Sequence, residues 1–168
     1  MNDIGNVSEI IADMTVQLGE LVARTCNSQP AMVGIHTGGV WIAKHLHRQL
    51  KIDEPLGSLD ISFYRDDFTR IGMNPVVQPS QLPFSIDDCH IILVDDVLHT
   101  GRTIRAALNE LFDYGRPASI MLATLIERGG RELPIQANVV GRHVELSPGE
   151  HIKLLGPDPL ALEIQKTA

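Results

Sequence analysis

The stretch IILVDDVLHTGRTIRAAL, residues 91–108, constrains this chain more than any other. The apolar run from His90 to Val94 reads as a buried strand that ends at Asp95-Asp96. From Thr103 to Tyr114, Ile104, Ala107, Leu108, Leu111 and Phe112 recur at the spacing of one helical face. A strand feeding a helix through a short loop places that loop beyond the carboxyl end of the strand, where open parallel sheets bind ligands. The amides that open the helix form a positive nest for a phosphate, and Thr100 and Thr103 add hydroxyl donors. Asp95 and Asp96 would repel a phosphate, so their natural partners are hydroxyl groups or a metal ion beside it. Together these features describe a ribose 5-phosphate. Gly101-Arg102-Thr103 lacks the Gly-Lys-Ser/Thr ending of a triphosphate-binding loop, and no three-glycine dinucleotide fingerprint is present.

The rest of the chain supplies more elements of the same kind. Asn6 to Ala23 has helical periodicity, with Asn6 and Glu9 resembling a capping pair. Ala31 to Ile35 reads as a buried strand that breaks at His36-Thr37-Gly38-Gly39, and Val40 to Leu50 resumes as a helix. Leu59, Ile61 and Phe63 alternate with Asp60, Ser62 and Tyr64 in the period-two pattern of a strand. Arg65 to Phe84, with Pro75, Pro79 and Pro83, has little periodicity and reads as a long functional loop, a lid. Ser119–Ile126 and Asn138–Val144 are further strands, Gly115 and Pro117 end the preceding helix, and the Pro- and Gly-bearing tail gives no clear element. Strands separated by helices imply an α/β fold with a largely parallel sheet, and 168 residues with 43% hydrophobic content fit one domain spanning 1–168.

Composition excludes several functions. A formal charge of −7 argues against a chain whose main role is to wrap nucleic acid. One Trp, two Tyr and four Phe leave little material for a base-stacking platform. No segment approaches the roughly 18 apolar residues that cross a bilayer, and the amino terminus lacks a signal-peptide pattern, so a cytoplasmic protein is expected. Cys26 and Cys89, in apolar surroundings without metal-ligand spacing, read as reduced core thiols. His45 and His47 stand two apart on a helix and do not share a face, which disfavours a metal pair; no metal cage is expected from the chain itself.

The 94–103 segment VDDVLHTGRT, with FYRDD at 63–67 and ERGGRELPIQAN at 127–138, resembles the pyrimidine operon regulatory proteins. These are uracil phosphoribosyltransferases of type I that can also bind messenger RNA. The resemblance implies a mainly parallel sheet flanked by helices, a small hood, a flexible lid and a homodimer or higher homo-oligomer. It implies phosphoribosyl pyrophosphate and uracil as substrates, UMP as product, and Mg2+ arriving with the substrate. By the same resemblance Asp95 and Asp96 hold ribose hydroxyls, and Val97, Leu98 and His99 form the variable step. Thr100, Gly101, Arg102 and Thr103 hold the 5-phosphate, while His36, Thr37, Gly38 and Gly39 bind pyrophosphate. Arg65 offsets the leaving charge, and Arg128 lies beside the base, whose edge the backbone reads. The family commonly shows Thr-Arg-Gly at the pyrophosphate loop, and Gly38 stands where that arginine would be. Two alternatives stay open. One is a purine-base enzyme, which shares the sugar motif. The other is a nucleotide-sensing attenuator of pyrimidine-operon leader RNA, for which Arg128, Arg131, Arg142 and Lys153 are the candidate cations.

Overall fold

In the computed structural model, which describes residues 4–62 and 80–167, the elements follow in the order α1 (Val7–Thr25), β1 (Ala31–Ile35), α2 (Gly38–Leu50), β2 (Gly57–Leu59), β3 (His90–Leu98), α3 (Arg102–Tyr114), β4 (Ser119–Arg128), β5 (Val139–Val144), β6 (Glu150–Leu155) and β7 (Ala161–Lys166). Five strands form a sheet in the order β2-β1-β3-β4-β5, every neighbouring pair parallel. The antiparallel pair β6–β7 forms a separate small sheet, the hood. No helix among the described residues is long and apolar enough to cross a membrane.

Both faces of the sheet are buried, which explains the continuous apolar runs of its central strands. Alternate residues of β3 serve opposite faces. Ile92 and Val94 join Ile10, Met14 and Leu18 of α1 and Ile42 and Leu46 of α2. Ile91 and Leu93 join Ile104, Ala107 and Leu111 of α3. Complete burial of each such Ile or Leu stabilises the fold by roughly 1.5–3 kcal/mol. α1 opens on Asn6, whose side chain accepts a hydrogen bond from Ser8 N at 2.8 Å, a polar cap that the helix needs because its first amides have no internal partner.

Several boundaries differ from the sequence pattern. β3 does not stop at the acidic pair but runs on to Leu98, and its ladder with β4 continues through Asp95↔Thr124 to Leu98↔Glu127. α1 extends to Thr25, α2 begins at Gly38, α3 begins at Arg102, and β4 reaches Arg128. Phe112 is not part of the α3 core face; it is 58% exposed, while Ile104, Ala107 and Leu111 pack against the sheet. The expected strand over Leu59–Tyr64 is instead β2, Gly57–Leu59; Asp60 is buried rather than solvated, and Phe63 and Tyr64 lie outside the described residues. Most of the expected lid, Arg65 to Pro79, also lies outside them. The two cysteines are free and half-buried against the core rather than within it.

Asp60 belongs to a small polar knot beside α3. The Ser80 hydroxyl accepts from Asp60 N at 3.0 Å and donates to Glu110 Oε1 at 2.6 Å. Glu110 is buried, and its Oε2 has no hydrogen-bond partner among the described residues. Burial pushes the Glu110 carboxyl above the usual range, the Ser80 hydroxyl opposes this, and the charges of Asp60 and Asp113 push it further up. A carboxyl whose pKa is raised by folding binds more protons folded than unfolded, so stability falls as pH climbs from the unfolded value through the folded one. Glu110→Gln keeps the acceptor for Ser80 and removes that charge. The Tm of the variant relative to the parent is therefore expected to increase from pH 4 to pH 7. Each kcal/mol recovered appears as about 2–4 °C in a chain of this length. A difference that stays constant with pH would contradict the buried-charge account.

Candidate active site

The connections of β1 diverge at the centre of the sheet: β2 pairs on one side of it and β3 on the other. In open parallel sheets a crevice forms where the connections part, outside the carboxyl ends of the strands. An open cleft of about 750 Å3 lies at this end of the molecule, entered by residues that follow β1, β3 and β4 and roofed by β6. It brings together His36, Thr37, Asp95, Asp96, Val97, Leu98, His99, Thr100, Gly101, Arg102, Thr103 and Arg128, each singled out in the sequence. Gly38 and Gly39 are not in its lining; they open α2 behind it, and Arg65 lies outside the described residues.

Adjacent residues on a strand point to opposite faces, so the two acids diverge. Asp95 has the parity of Leu93 and the α3 side, and is only 5% exposed. Asp96 has the parity of Val94 and turns toward the start of α2, where a Cβ built on Gly38 would come within 2.3 Å of Asp96 Oδ2. The backbone fixes one oxygen of each: Asp96 N donates to Asp95 Oδ1 at 2.9 Å, and Val97 N donates to Asp96 Oδ1 at 2.8 Å. Gly38 therefore leaves room for the Asp96 carboxylate, a role beyond close approach of amides to an anion.

The loop after β3 is shaped for an anion. Gly101, at φ +92°, adopts a left-handed turn that favours glycine. It brings no side-chain cap, and Thr100 takes over that task, its Oγ1 accepting from Arg102 N at 3.1 Å. The first amides of α3 thus converge on the cleft with the positive end of the helix. His99 is held below its ordinary pKa by burial first and then by the Arg128 charge, with Arg131 and His151 adding to that and Glu132 opposing it. Arg128 Nε is buried and has no hydrogen-bond partner among the described residues.

The cleft also contains residues that the sequence did not single out for it. Glu132 faces the loop after β3, its Oε2 accepting from Arg102 Nε at 2.8 Å. His151, Ile152 and Lys153 come from the hood. The alternation of buried Ile152 and Leu154 with exposed His151 and Lys153 was the available signal for that strand. The four candidate RNA-facing cations do not form one group: Arg128 and Lys153 line the cleft, Arg131 pairs with Glu127, and Arg142 pairs with Asp13 at 3.0 Å. Among the described residues no three His, Cys, Asp or Glu side chains are grouped to hold a metal ion.

Residues 2–152 match the phosphoribosyl transferase domain family. The chain is 62% identical over 162 residues to the bifunctional protein PyrR of Nitrosococcus oceani, covering 95% of this chain and 92% of that protein. It is 56% identical over 158 residues to the bifunctional protein PyrR of Pseudomonas aeruginosa, covering 94% and 93%. Among solved structures, a hypoxanthine phosphoribosyltransferase from Staphylococcus aureus aligns with a TM-score of 0.63 at 22% identity over 90% of this chain and 82% of that one. A hypoxanthine-guanine phosphoribosyltransferase from Bacillus anthracis gives 0.67 at 16% identity, over 83% and 81%. At such identities the likeness is one of fold. With the parallel sheet, the hood and the loop after β3 all in place, the chain belongs to the phosphoribosyl transferase domain family and, within it, to the family of the bifunctional PyrR proteins.

Proposed function

We propose that the protein joins uracil to the ribose phosphate of phosphoribosyl pyrophosphate, forming UMP and releasing pyrophosphate. The observation that carries the phosphoribosyl part of this reading is the cleft, with helix-opening amides at Thr100–Thr103 beside two carboxylates, Asp95 and Asp96, on opposite faces of one strand. The choice of uracil follows the resemblance to the pyrimidine operon regulatory proteins. A phosphate seated on the α3 amides sets the ribose over the acids, which accept from its hydroxyls. His36 and Thr37 also line the cleft and in this reading meet the departing pyrophosphate, while Arg128 with the hood residues His151 and Lys153 bounds the base.

In the reaction the bond from ribose C1 to the pyrophosphate oxygen breaks, a bond from C1 to uracil N1 forms, and the N1 proton is lost. The sugar gains oxocarbenium character, so catalysis requires fixed charges rather than a protein nucleophile. In this reading the carboxylates of Asp95 and Asp96, which line the cleft, accept from the ribose hydroxyls and lend negative charge to the sugar as it becomes positive. Magnesium fits this donor set as a substrate-borne ion, since it prefers phosphate oxygens and water with one or two carboxylates. When bound it neutralises charge on the pyrophosphate.

Pyrophosphate release is expected with phosphoribosyl pyrophosphate, magnesium and uracil, and not with hypoxanthine, guanine or adenine. Turnover with a purine in place of uracil would overturn the base assignment. A second reading, regulation through pyrimidine-operon leader RNA, draws support from the word bifunctional in the names of the relatives. A salt-sensitive gel shift with that RNA tests it, and no shift at low salt would exclude it. A homo-oligomer in the cytoplasm is consistent with either role.

A further inference from the structure

The segment ERGGRE, residues 127–132, is placed by the structure against the phosphate loop. The β3–β4 ladder ends at Leu98↔Glu127, one residue before His99. Beyond that point Arg131 continues the connection with its side chain. Its Nη1 donates to the carbonyl oxygen of His99 and its Nη2 donates to Glu127 Oε1. The Arg131 side chain is 25% exposed and that of Glu127 19%, so solvent screens the pair only in part. The other Glu127 oxygen lies 3.3 Å from His143 Nδ1 on β5. The main chain adds a second clamp, since Glu132 N and Leu133 N both donate to Thr100 O, at 3.0 and 3.1 Å. Leu133 and Ile135 close over Gly101, where a Cβ would meet theirs at 3.4 and 3.3 Å.

From this geometry we infer that Arg131 is a positioning residue that locks the end of β4, with Arg128 beside the base, to the loop that holds the sugar phosphate. The inference rests on the phosphoribosyl-transfer reading and deepens it. Arg131 itself is absent from the cleft lining; it acts through His99 and Glu127. Its planar fork satisfies both acceptors at once, which the single ammonium of a lysine does less well. Filling the phosphate nest then fixes the carbonyl of His99, and through the fork fixes the strand end that bounds the base. The two half-sites are coupled, so ribose 5-phosphate strengthens uracil binding and uracil strengthens ribose 5-phosphate binding by the same factor.

The test is calorimetric titration of uracil with and without saturating ribose 5-phosphate, for the parent, Arg131→Gln and Arg131→Lys, with Tm measured alongside. The parent is expected to bind uracil at least five-fold more tightly when ribose 5-phosphate is present, within the usual range of allosteric coupling. In Arg131→Gln the ratio is expected to fall to about one while ribose 5-phosphate still binds, and in Arg131→Lys to an intermediate value. Should the glutamine variant fail to fold, the lysine variant carries the test, and full parental coupling in it would overturn the lock. Parental coupling in folded Arg131→Gln would overturn it directly. A parent that binds neither ribose 5-phosphate nor phosphoribosyl pyrophosphate would defeat the transferase reading as well, whereas a parent that binds both and shows no coupling would defeat the lock alone.

Discussion

Asp95→Asn and Asp96→Asn are each expected to reduce phosphoribosyl transfer by about 100- to 1,000-fold, the range seen when one preorganised electrostatic group is removed from an active site. Asparagine matches the shape of aspartate and keeps one oxygen, so the bonds from Asp96 N to residue 95 and from Val97 N to residue 96 survive. What disappears is the negative charge that the proposed reaction sets beside the ribose. Because the two acids project from opposite faces of β3, neither can substitute for the other: Asp95 is enclosed on the α3 side, and Asp96 lies against Gly38 at the start of α2. Both losses should therefore fall on kcat/KM, with thermal unfolding close to the parent. Pyrophosphate release measured at saturating uracil over a range of phosphoribosyl pyrophosphate concentrations checks this, and a variant that keeps more than about a tenth of the parental kcat/KM would remove that acid from the proposed reaction.

The loop after β3 was legible because one continuous stretch supplies it: strand, acids, Thr-Gly-Arg-Thr and helix all fall within residues 91–108. The parts that were not legible depend on the topology or on the backbone. The apolar run ends at Val94, yet β3 continues four residues further, because hydrophobicity records which side chains are buried and not where a backbone ladder stops. Polar residues are tolerated there because the carboxyl end of the strand opens on the cleft. Glu132 and the hood residues reach the site from positions remote in sequence, and their spacing alone carries no signal of convergence. The hood was obscured by Pro157 and Pro159, which read as breakers of the whole tail but lie in the turn between β6 and β7. Conversely, Leu108 and Phe112 share a helical spacing, but Leu108 packs on the core while Phe112 is largely solvated, since periodicity marks a face without fixing how wide the buried stripe is.

Gly39→Ala is expected to impair folding and the site together. A Cβ at Gly39 would come within 2.5 Å of Val94 O and 3.1 Å of Asp95 Cα. Both are backbone atoms of the central strand, so no rotamer change relieves the overlap and the first turn of α2 must move away from β3. The neighbouring contact is equally tight: a Cβ at Gly34 on β1 would meet Val40 Cα at 2.7 Å. Overpacking of this kind costs about 1–3 kcal/mol, which in a chain of this length lowers Tm by roughly 2–12 °C. Movement of α2 also carries Thr37 away from Asp95, so affinity for phosphoribosyl pyrophosphate should fall in the surviving folded protein. Gly38→Ala provides the contrast. Its Cβ would meet the Asp96 side chain, which can rotate, so stability should change less while turnover suffers through the displaced carboxylate. Gly19→Ala is the control for backbone entropy: it lies within α1, where a Cβ meets only Leu50 Cδ2 at 3.8 Å, and should stabilise by about 0.5–1 kcal/mol. Thermal unfolding and substrate titration of the three variants separate these causes. If Gly39→Ala unfolded at the temperature of Gly19→Ala and bound substrate normally, the close approach of α2 to β3 would not be what positions His36 and Thr37 in the cleft.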